Sequence, residues 1–391
     1  MRPLEGVTVV AVEQAVAVPF ATRQLADLGA RVIKIERPGT GDFARHYDGT
    51  VNGLSSYFVW LNRSKESLTL DLKDSDATAI MHRLIEHADV FVENLAPGAA
   101  ARLGFDSAAL HQQYPRLIAC SVSGYGSSGP YAEKKAYDLL VQSEVGLVAL
   151  TGTPEEAVKV GISAADIAAG MYAFSGILTA LFARTASGRG AALDVSLFDA
   201  LGEWMSAPMY YATYGGTSPQ RSGAHHASIA PYGPYATKTG TIYLAIQNAR
   251  EWSRFCADVL QRPELADDAR FAVNAARVTN RAALDAVILA TLCELSSEEA
   301  LARLDAAGIA NARVGSIEEF AQHPQLSARQ RWREVASPAG PVRALLPPVS
   351  INGVEPVMGA IPQVGEHTDA ILAELGFPRA TIDSWHERGM I

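Results

Sequence analysis

The chain has 391 residues, of which 48% are hydrophobic and 19% are charged, and its formal net charge is -9. A chain of this length predicts two or three domains with ample apolar core, and the composition is ordinary for a globular α/β enzyme. The negative charge disfavours nucleic acid or an anionic membrane as a general partner.

The cysteines and the first residues of the chain indicate what kind of protein this is. Cys120, Cys256 and Cys293 lie far apart without metal-ligand spacing, and their odd number argues against a disulfide framework. The first residues lead into a strand pattern without a signal-peptide pattern, and we expect no apolar run of membrane-spanning length. We therefore expect a soluble, cytoplasmic protein with no metal site and no tightly bound cofactor.

The first half of the chain alternates strand and helix patterns. Residues 6–12 predict a buried strand, Pro19 opens a helix that ends at Gly29, and residues 31–36 predict the next strand. A strand at 68–72, a helix at 76–88, and strands at 89–94 and 117–122 follow. Repeated units of this kind predict an α/β fold with a doubly wound, Rossmann-like parallel sheet, which binds ligands beyond the carboxyl ends of its strands.

The second half predicts a smaller α/β domain inserted into the large one. The predicted elements are a buried helix at 171–183, a strand at 191–197, a helix and connector at 199–220, a strand at 241–247, helices near 249–260, 280–295 and 296–307, and a final helix at 369–375. We predict a large domain of residues 1–198 and 330–391, linkers at 199–224 and 321–329, and a small domain at 225–320.

Asp166 is the most informative single residue. It is the only charged residue between Lys159 and Arg184, and it precedes the apolar helix at 171–183. One interpretation is that its carboxylate answers the free N–H groups and the dipole of the first helical turn. The other is a nucleophilic or proton-transferring carboxylate, because partial burial raises the pKa of such a group. The local sequence favours the first and leaves both open.

Other motifs carry less weight. Gly124, Gly126 and Gly129 match G-x-G-x-x-G, but Pro130 follows them instead of a helix start, so a turn-forming loop is favoured over a dinucleotide site. His225 and His226 have no carboxylate or cysteine at metal spacing. There is no Gly-x-Ser-x-Gly nucleophile elbow.

Basic residues follow several predicted strands. They are Arg37, Lys73, Arg102, Lys134 and Lys135. Each alone is typical of a solvated surface, but their positions at successive strand exits are consistent with a shared phosphate-binding rim.

Taken together, the motifs resemble the class III CoA-transferases, the group of formyl-CoA transferase and carnitine CoA-transferase. The matching pieces are residues 17–20, 25–30, 32–39 with 41–42, 70–73, 93–94, 97–98, 102–104, 123–126 with 129–130, 137–138, 166, 188–190 and 365–368. They run in order from the first strand to the last helix, so the resemblance covers nearly the whole chain.

The resemblance implies a mechanism on Asp166. In the family, an aspartate attacks an acyl-CoA thioester to give a mixed anhydride and then an aspartyl-CoA thioester. By position, the resemblance implies CoA contacts at Val16, Ala17, Arg37, Leu70, Lys73, Asn94, Arg102, Lys135 and Tyr137. It also implies an interlocked homodimer.

The fold of this family also hosts α-methylacyl-CoA racemases, so racemase activity and a non-catalytic CoA-binding protein remain alternatives. Racemases carry a histidine where this chain has Tyr137 before Asp138, and the missing imidazole favours a transferase. Val16 and Ala96 depart from the formyl-CoA transferase pattern, which argues against formate and oxalate.

The segment at 13–17 is more similar to members that act on mesaconyl-, itaconyl-, citramalyl- or succinyl-CoA, so we expect a small dicarboxylic acid as a substrate. We hypothesise that Arg45 or Arg63 binds its free carboxylate. A role as ordinary surface arginines is at least as consistent with the sequence.

Overall fold

The computed structural model describes all residues, 1–391, and the chain forms two compact units. The first contains residues 1–145, 160–206 and 327–391, and the second contains residues 146–159 and 207–326. The domain and linker limits predicted from the sequence remain predictions. Residues 146–159, which that prediction left in the large domain, belong to the second unit.

A six-stranded parallel sheet organises the first unit. Its strands are β1 (Thr8–Val12), β2 (Arg31–Glu36), β3 (Lys65–Thr69), β4 (Val90–Glu93), β5 (Ile118–Ser123) and β6 (Ala191–Ser196). Their order in the sheet is β3-β2-β1-β4-β5-β6, and every neighbouring pair is parallel. This is the doubly wound order, so the predicted α/β fold class is confirmed.

The helices of the chain are mostly short. Those up to the end of β6 are α1 (Ala17–Asp27), α2 (Ser56–Leu61), α3 (Ser75–Glu86), α4 (Ala99–Arg102), α5 (Ser107–Gln113), α6 (Asp138–Glu144), α7 (Leu147–Leu150) and α8 (Ala164–Ser187), with a 3-10 turn at Phe43–His46. Those after β6 are α9 (Leu197–Trp204), α10 (Ser206–Tyr214), α11 (Ala249–Arg254), α12 (Asn274–Thr279), α13 (Arg281–Leu292), α14 (Ser297–Ala306), α15 (Ile317–Ala321), α16 (Pro324–Ala328), α17 (Thr368–Glu374) and α18 (Arg379–Glu387), with a π-helical turn at Phe255–Val259 and a 3-10 turn at Pro263–Ala266.

Helix α3 shows why these segments are helical. Asp74 accepts a hydrogen bond from the N–H of Asp76 and so caps the helix start. Ile80, Met81 and Leu84 recur at helical spacing and are buried against the sheet. The cap and the apolar stripe together fix the start of the helix and its buried face.

Helix α8 is the longest, with 24 residues, and it ends at Gly188 in the left-handed conformation (φ +69°). The apolar run predicted as a helix from residue 171 therefore begins earlier, at Ala164. By length and composition α8 is the one helix that could cross a membrane, although Asp166 and Arg184 interrupt its apolar run and the core helix of a soluble protein passes the same test. Its inner residues Ala168, Ala173 and Ile177 are buried within the first unit.

The second unit has an antiparallel three-stranded sheet, β7 (Tyr232–Thr237), β8 (Gly240–Ala245) and β9 (Ala310–Arg313), around its own apolar core. Only β8 was predicted. Strand β7 contains Gly233 and Pro234, which are turn residues in most sequences, and it is a strand here because β8 pairs with it. A hairpin of β10 (Trp332–Val335) and β11 (Val342–Leu345) completes the first unit and was also not predicted.

Candidate active site

The crevice of the large sheet lies between β1 and β4, where the strand order reverses. The chain after β1 and the chain after β4 meet there, because Asn94 exchanges two hydrogen bonds of 2.9 Å with the backbone N–H and carbonyl of Gln14. Open α/β sheets bind their ligands at this kind of crevice. The position of the site therefore follows from the topology.

A cavity of about 670 Å³ opens at the crevice, within the size range of small-molecule sites. Its wall consists of Gln14, Ala15, Val16, Ala17, Phe43, Tyr47, Asp48, Tyr57, Asn94, Leu95, Ala96, Pro97, Val122, Ser123, Gly124, Lys134, Lys135, Ala136, Tyr137, Asp138, Leu139, Ser163, Asp166 and Leu197. All of them belong to the first unit.

Asp166 lies in the first turn of α8 and faces this cavity. It does not cap its own helix. The cap comes from Asp138, the first residue of α6, whose Oδ1 accepts hydrogen bonds from the N–H groups of Ala165 at 2.7 Å and of Asp166 at 3.3 Å. The carboxylate of Asp166 accepts no hydrogen bond from the protein. The helix-start interpretation therefore describes Asp138 and leaves Asp166 available for chemistry.

The electrostatics of Asp166 suit a reactive carboxylate. Burial raises the pKa of its carboxyl group to about 7, and the nearby carboxylate of Asp138 adds to the shift. The other oxygen of Asp138 accepts from Gln142 Nε2 at 2.6 Å, so Asp138 is fixed while Asp166 is not. A desolvated carboxylate without donors is a stronger nucleophile than a solvated one, because no bond to a donor must be broken before it attacks.

Aromatic side chains form one wall of the cavity. The rings of Phe43 and Tyr47 are 5.7 Å apart between centroids, and those of Tyr47 and Tyr57 are 5.6 Å apart. Burial raises the pKa of Tyr47 to about 12, with smaller contributions from the charges of Asp42 and Asp166. Tyr47 is therefore a neutral hydroxyl donor at physiological pH, and it lines the same cavity as Asp166.

The residues predicted to contact CoA fall into two groups. Val16, Ala17, Asn94, Lys135 and Tyr137 line the cavity. Arg37, Leu70, Lys73 and Arg102 do not, although all four follow the carboxyl ends of β2, β3 or β4. Arg37, Lys73 and Arg102 are exposed, whereas Leu70 is buried in the core.

Arg45 and Arg63 are not in the cavity wall, and both guanidinium groups are already paired. Arg45 makes two hydrogen bonds of 2.6 and 2.8 Å to Glu36, and its guanidinium carbon lies 3.6 Å from the ring centroid of Phe58. Arg63 makes two bonds of 2.7 and 2.8 Å to Asp27. This geometry does not support the hypothesis that either arginine binds the substrate's free carboxylate.

The remaining motifs have structural roles in the folded chain. Gly126 and Gly129 adopt φ values of +92° and +86°, as a turn-forming loop requires, so the discounted dinucleotide motif is a turn. His226 stacks on Tyr232 with ring centroids 5.2 Å apart, and His225 lies edge-on to Tyr235.

Fold and site together define an α/β enzyme with one unpaired carboxylate facing a ligand cavity beyond its strand ends. The chain matches the model of CoA-transferase family III over residues 4–368. The chain belongs to this family and is a CoA-transferase, as the sequence motifs predicted.

Relatives cover almost the whole chain. Acetyl-CoA:oxalate CoA-transferase of Acetobacter aceti is 35% identical over 382 residues, which are 97% of this chain and 97% of that protein. Succinate–glutarate CoA-transferase of Agrobacterium fabrum is 33% identical and covers 95% of this chain and 96% of its own. The crystal structure of a CaiB/BaiF family protein from Brucella suis has a TM-score of 0.83 at 34% identity, with 96% of this chain and 99% of that chain covered.

Proposed function

We propose that this protein transfers CoA between an acyl-CoA and a small dicarboxylic acid, with Asp166 as the covalent nucleophile. The observation that carries the proposal is the carboxylate of Asp166, which faces the cavity without a hydrogen-bond partner and whose pKa is raised to about 7. At physiological pH a large fraction of it is ionised, and no bond to the protein restrains it.

The proposed reaction has four steps. The Asp166 carboxylate attacks the acyl thioester, forming a mixed anhydride and releasing CoA thiolate. The thiolate attacks the aspartyl carbonyl, forming an aspartyl-CoA thioester and releasing the first acid. The acceptor carboxylate attacks this thioester, breaking its C–S bond to form a second anhydride and release CoA thiolate, and the thiolate then attacks the acyl carbon of the acceptor. CoA leaves on the acceptor, and Asp166 regains its carboxylate.

The chain's own residues favour this sequence in two ways. Asp138 binds the amides of Ala165 and Asp166, which fixes the backbone of the nucleophile while its side chain stays unpaired. The aromatic rings of Phe43, Tyr47 and Tyr57 give one side of the cavity an apolar lining, which we propose shields the anhydride from water when acyl-CoA is bound. In such a surrounding the thiolate attacks the anhydride faster than water hydrolyses it.

CoA is proposed to enter beyond the strand ends. Val16, Ala17, Asn94, Lys135 and Tyr137 would contact its pantetheine arm inside the cavity. Arg37, Lys73 and Arg102 would form an exposed rim for its phosphates, since a guanidinium group binds phosphate in a bidentate way and an ammonium group as a point charge. Leu70 would support this rim from the core.

The substrate class rests on the relatives. Their names include oxalate and glutarate as acceptor acids, and both are dicarboxylates. The similarity to an oxalate enzyme counts against the expectation that oxalate is a poor substrate, so oxalate belongs among the acceptors to be tested. Because Arg45 and Arg63 are already paired, the second carboxylate must be bound by other donors, and the Tyr47 hydroxyl is one of them.

The proposal is tested by measuring CoA transfer from succinyl-CoA to glutarate, oxalate, citramalate and the monocarboxylate butyrate. We expect transfer to at least one dicarboxylate at a kcat/KM at least about tenfold above that for butyrate, which corresponds to about 1.4 kcal/mol. Asp166→Asn should abolish transfer, whereas Asp383→Asn on α18 should leave it unchanged. Equal rates for Asp166→Asn and the unaltered protein would contradict the proposal.

We further propose a cytoplasmic homodimer, interlocked as in the family and without a membrane or nucleic-acid partner. Large apolar side chains support a second copy as partner, because Phe182 on α8 is 80% exposed and Tyr214 on α10 is 82% exposed. Sedimentation equilibrium should give twice the mass of one chain, and a single-chain mass at micromolar concentration would exclude the dimer.

A further inference from the structure

The loop between β1 and α1 is strained where it enters the cavity wall. Ala15 adopts φ +61°, in the left-handed region that residues with a side chain rarely occupy. Ala15 and the two residues after it line the cavity. An unfavourable backbone conformation persists only when its surroundings hold it in place, and such strain is common at functional sites.

Two side chains hold this loop from opposite sides. Asn94 bonds both backbone polar groups of Gln14. The Oδ1 of Asp42 accepts from the N–H of Ala15 at 3.2 Å and from the N–H of Ala44 at 2.9 Å. Asp42 thereby ties the strained residue to the segment that carries the aromatic wall of the cavity.

Asp42 is itself held by a cluster of buried charges beneath the loop. Its Oδ2 accepts from Lys34 Nζ at 2.8 Å, and Lys34 also reaches the carbonyl of Glu13, the first residue of the loop, at 3.3 Å. Lys65 donates to Glu13 Oε1 at 2.6 Å. The side chains of these four residues are fully buried. With the adjoining ion pair of Glu36 and Arg45, the cluster has three anions and three cations.

Stability alone does not explain this cluster, because replacing a buried ion pair with well-packed apolar residues of similar volume is often neutral or stabilising. What apolar residues lack is a fixed acceptor aimed at the N–H of Ala15. The loop also affects how closely α1 approaches α8. Ala17 begins α1, and its carbonyl packs against Gly170, which lies one turn beyond Asp166 on α8.

We propose that Asp42, anchored by Lys34, is a positioning residue that holds Ala15 in its strained conformation and so fixes the cavity wall of Val16 and Ala17 relative to Asp166. This inference rests on the proposal that Asp166 reacts with acyl-CoA in this cavity. Displacing a wall of an active site by about 1 Å is enough to slow chemistry by about two orders of magnitude.

The test is the rate of Asp166 acylation at saturating succinyl-CoA, followed by rapid quenching and mass spectrometry of the peptide that contains Asp166. Asp42→Asn removes the acceptor for Lys34 and should slow acylation at least about tenfold. Adding Ala15→Gly should restore most of that loss, since glycine adopts a positive φ without support. The matched control is Gln261→Gly, which relieves a positive φ of +58° at an exposed position in the second unit and should restore nothing.

An unaltered protein that forms no Asp166 adduct refutes the proposed function. Three results would refute the positioning role. They are normal acylation by Asp42→Asn, restoration of the acylation rate by both glycine substitutions, and restoration by neither. If Asp42→Asn does not fold, the double variant Asp42→Leu with Lys34→Leu replaces it, because removing both members of the pair leaves neither charge of that pair buried alone. Its acylation defect should likewise be rescued by Ala15→Gly, and absence of rescue counts against the proposal.

Discussion

At the residue scale, the reactivity of Asp166 depends on which groups its carboxylate does not contact. A helix start normally lowers the pKa of an acidic residue, and the sequence favoured that role. In the folded chain Asp138 supplies the capping hydrogen bonds from α6, so Asp166 is left with burial and a like charge nearby. The two carboxylates thus have distinct roles because their environments differ.

The raised pKa predicts how activity depends on pH. Asp166 must be ionised to attack, so the acylation rate should rise about tenfold per pH unit below pH 7 and level off above it. Asp138→Asn removes the like charge and should move the bend of this profile to lower pH. A stopped-flow profile of acylation from pH 5 to 9 measures both, and a flat profile would contradict the assigned pKa.

The same shift predicts a stability effect that does not depend on activity. Because the folded carboxyl group holds its proton up to about pH 7, whereas the unfolded one loses it near the ordinary pKa of about 4, stability falls as the pH rises through that window. Asp166→Asn, which stays neutral, should melt like the unaltered protein below pH 4 and at a higher temperature at pH 8. Thermal melts of both proteins across this range provide the measurement. Identical melting temperatures at pH 8 would show that Asp166 is not desolvated.

A residue of the site could be identified from the sequence only where its role is visible from its neighbours in the sequence. Asp166 could be singled out because it is the lone charge in an apolar stretch. Asp138 and Asp42 could not be assigned their roles, because each acts on a backbone N–H that lies 27 residues away in sequence. Arg45 and Arg63 were misleading because their partners, Glu36 and Asp27, become neighbours only through the fold.

At the element scale, the approach of α1 to α8 brings the cavity wall and the nucleophile together. A Cβ atom on Gly170 would lie 2.5 Å from the carbonyl oxygen of Ala17 and 3.1 Å from the ring of Phe20. Gly170 follows Asp166 by four residues, on the same face of α8. Glycine at this position lets the start of α1 pack directly against the helix that carries Asp166.

Substitution at Gly170 therefore has a predictable outcome. Gly170→Ala should destabilise the fold by about 1–3 kcal/mol through overpacking, and it should also slow acylation. Gly176→Ala is the matched control, because its Cβ would meet only Leu193 at 3.7 Å. Alanine there should stabilise α8 by up to about 1 kcal/mol and leave acylation unchanged. Urea unfolding and acylation rates distinguish the two variants, and equal effects of both would contradict this packing argument.

Elements were predictable where their residues followed a simple pattern. Strand β1 is an apolar run and was placed correctly, but β3 begins at Lys65, three residues earlier than predicted. Its first residues, Lys65 and Glu66, are charged, and the burial of Lys65 in this edge strand is understandable only once Glu13 is seen beside it. Burial of a charge with its partner is a tertiary effect that periodicity does not reveal.

At the scale of the whole molecule, the strand order explains where the chemistry takes place. Alternating strands and helices predicted a doubly wound sheet, and handedness rules leave few topologies for it. Placing β4 beside β1 brings Asn94 to Gln14 across 80 residues of sequence and opens the crevice there. The family relationship covers 4–368 and is consistent with a site built on the shared fold rather than on an added segment.

In the proposed cycle Asp166 exchanges an oxygen with the acceptor acid, and isotope labelling detects this exchange most directly. The protein is turned over with succinyl-CoA and an acceptor acid labelled with oxygen-18 in its carboxylates, then digested and analysed by mass spectrometry. In the proposed cycle the bridging oxygen of the second anhydride remains on Asp166 when CoA leaves with the acyl group. The peptide containing Asp166 should therefore gain one heavy oxygen in the first turnover and approach two after several turnovers. Transfer of CoA with this peptide unlabelled, or with the label in another peptide, would show that Asp166 is not the nucleophile.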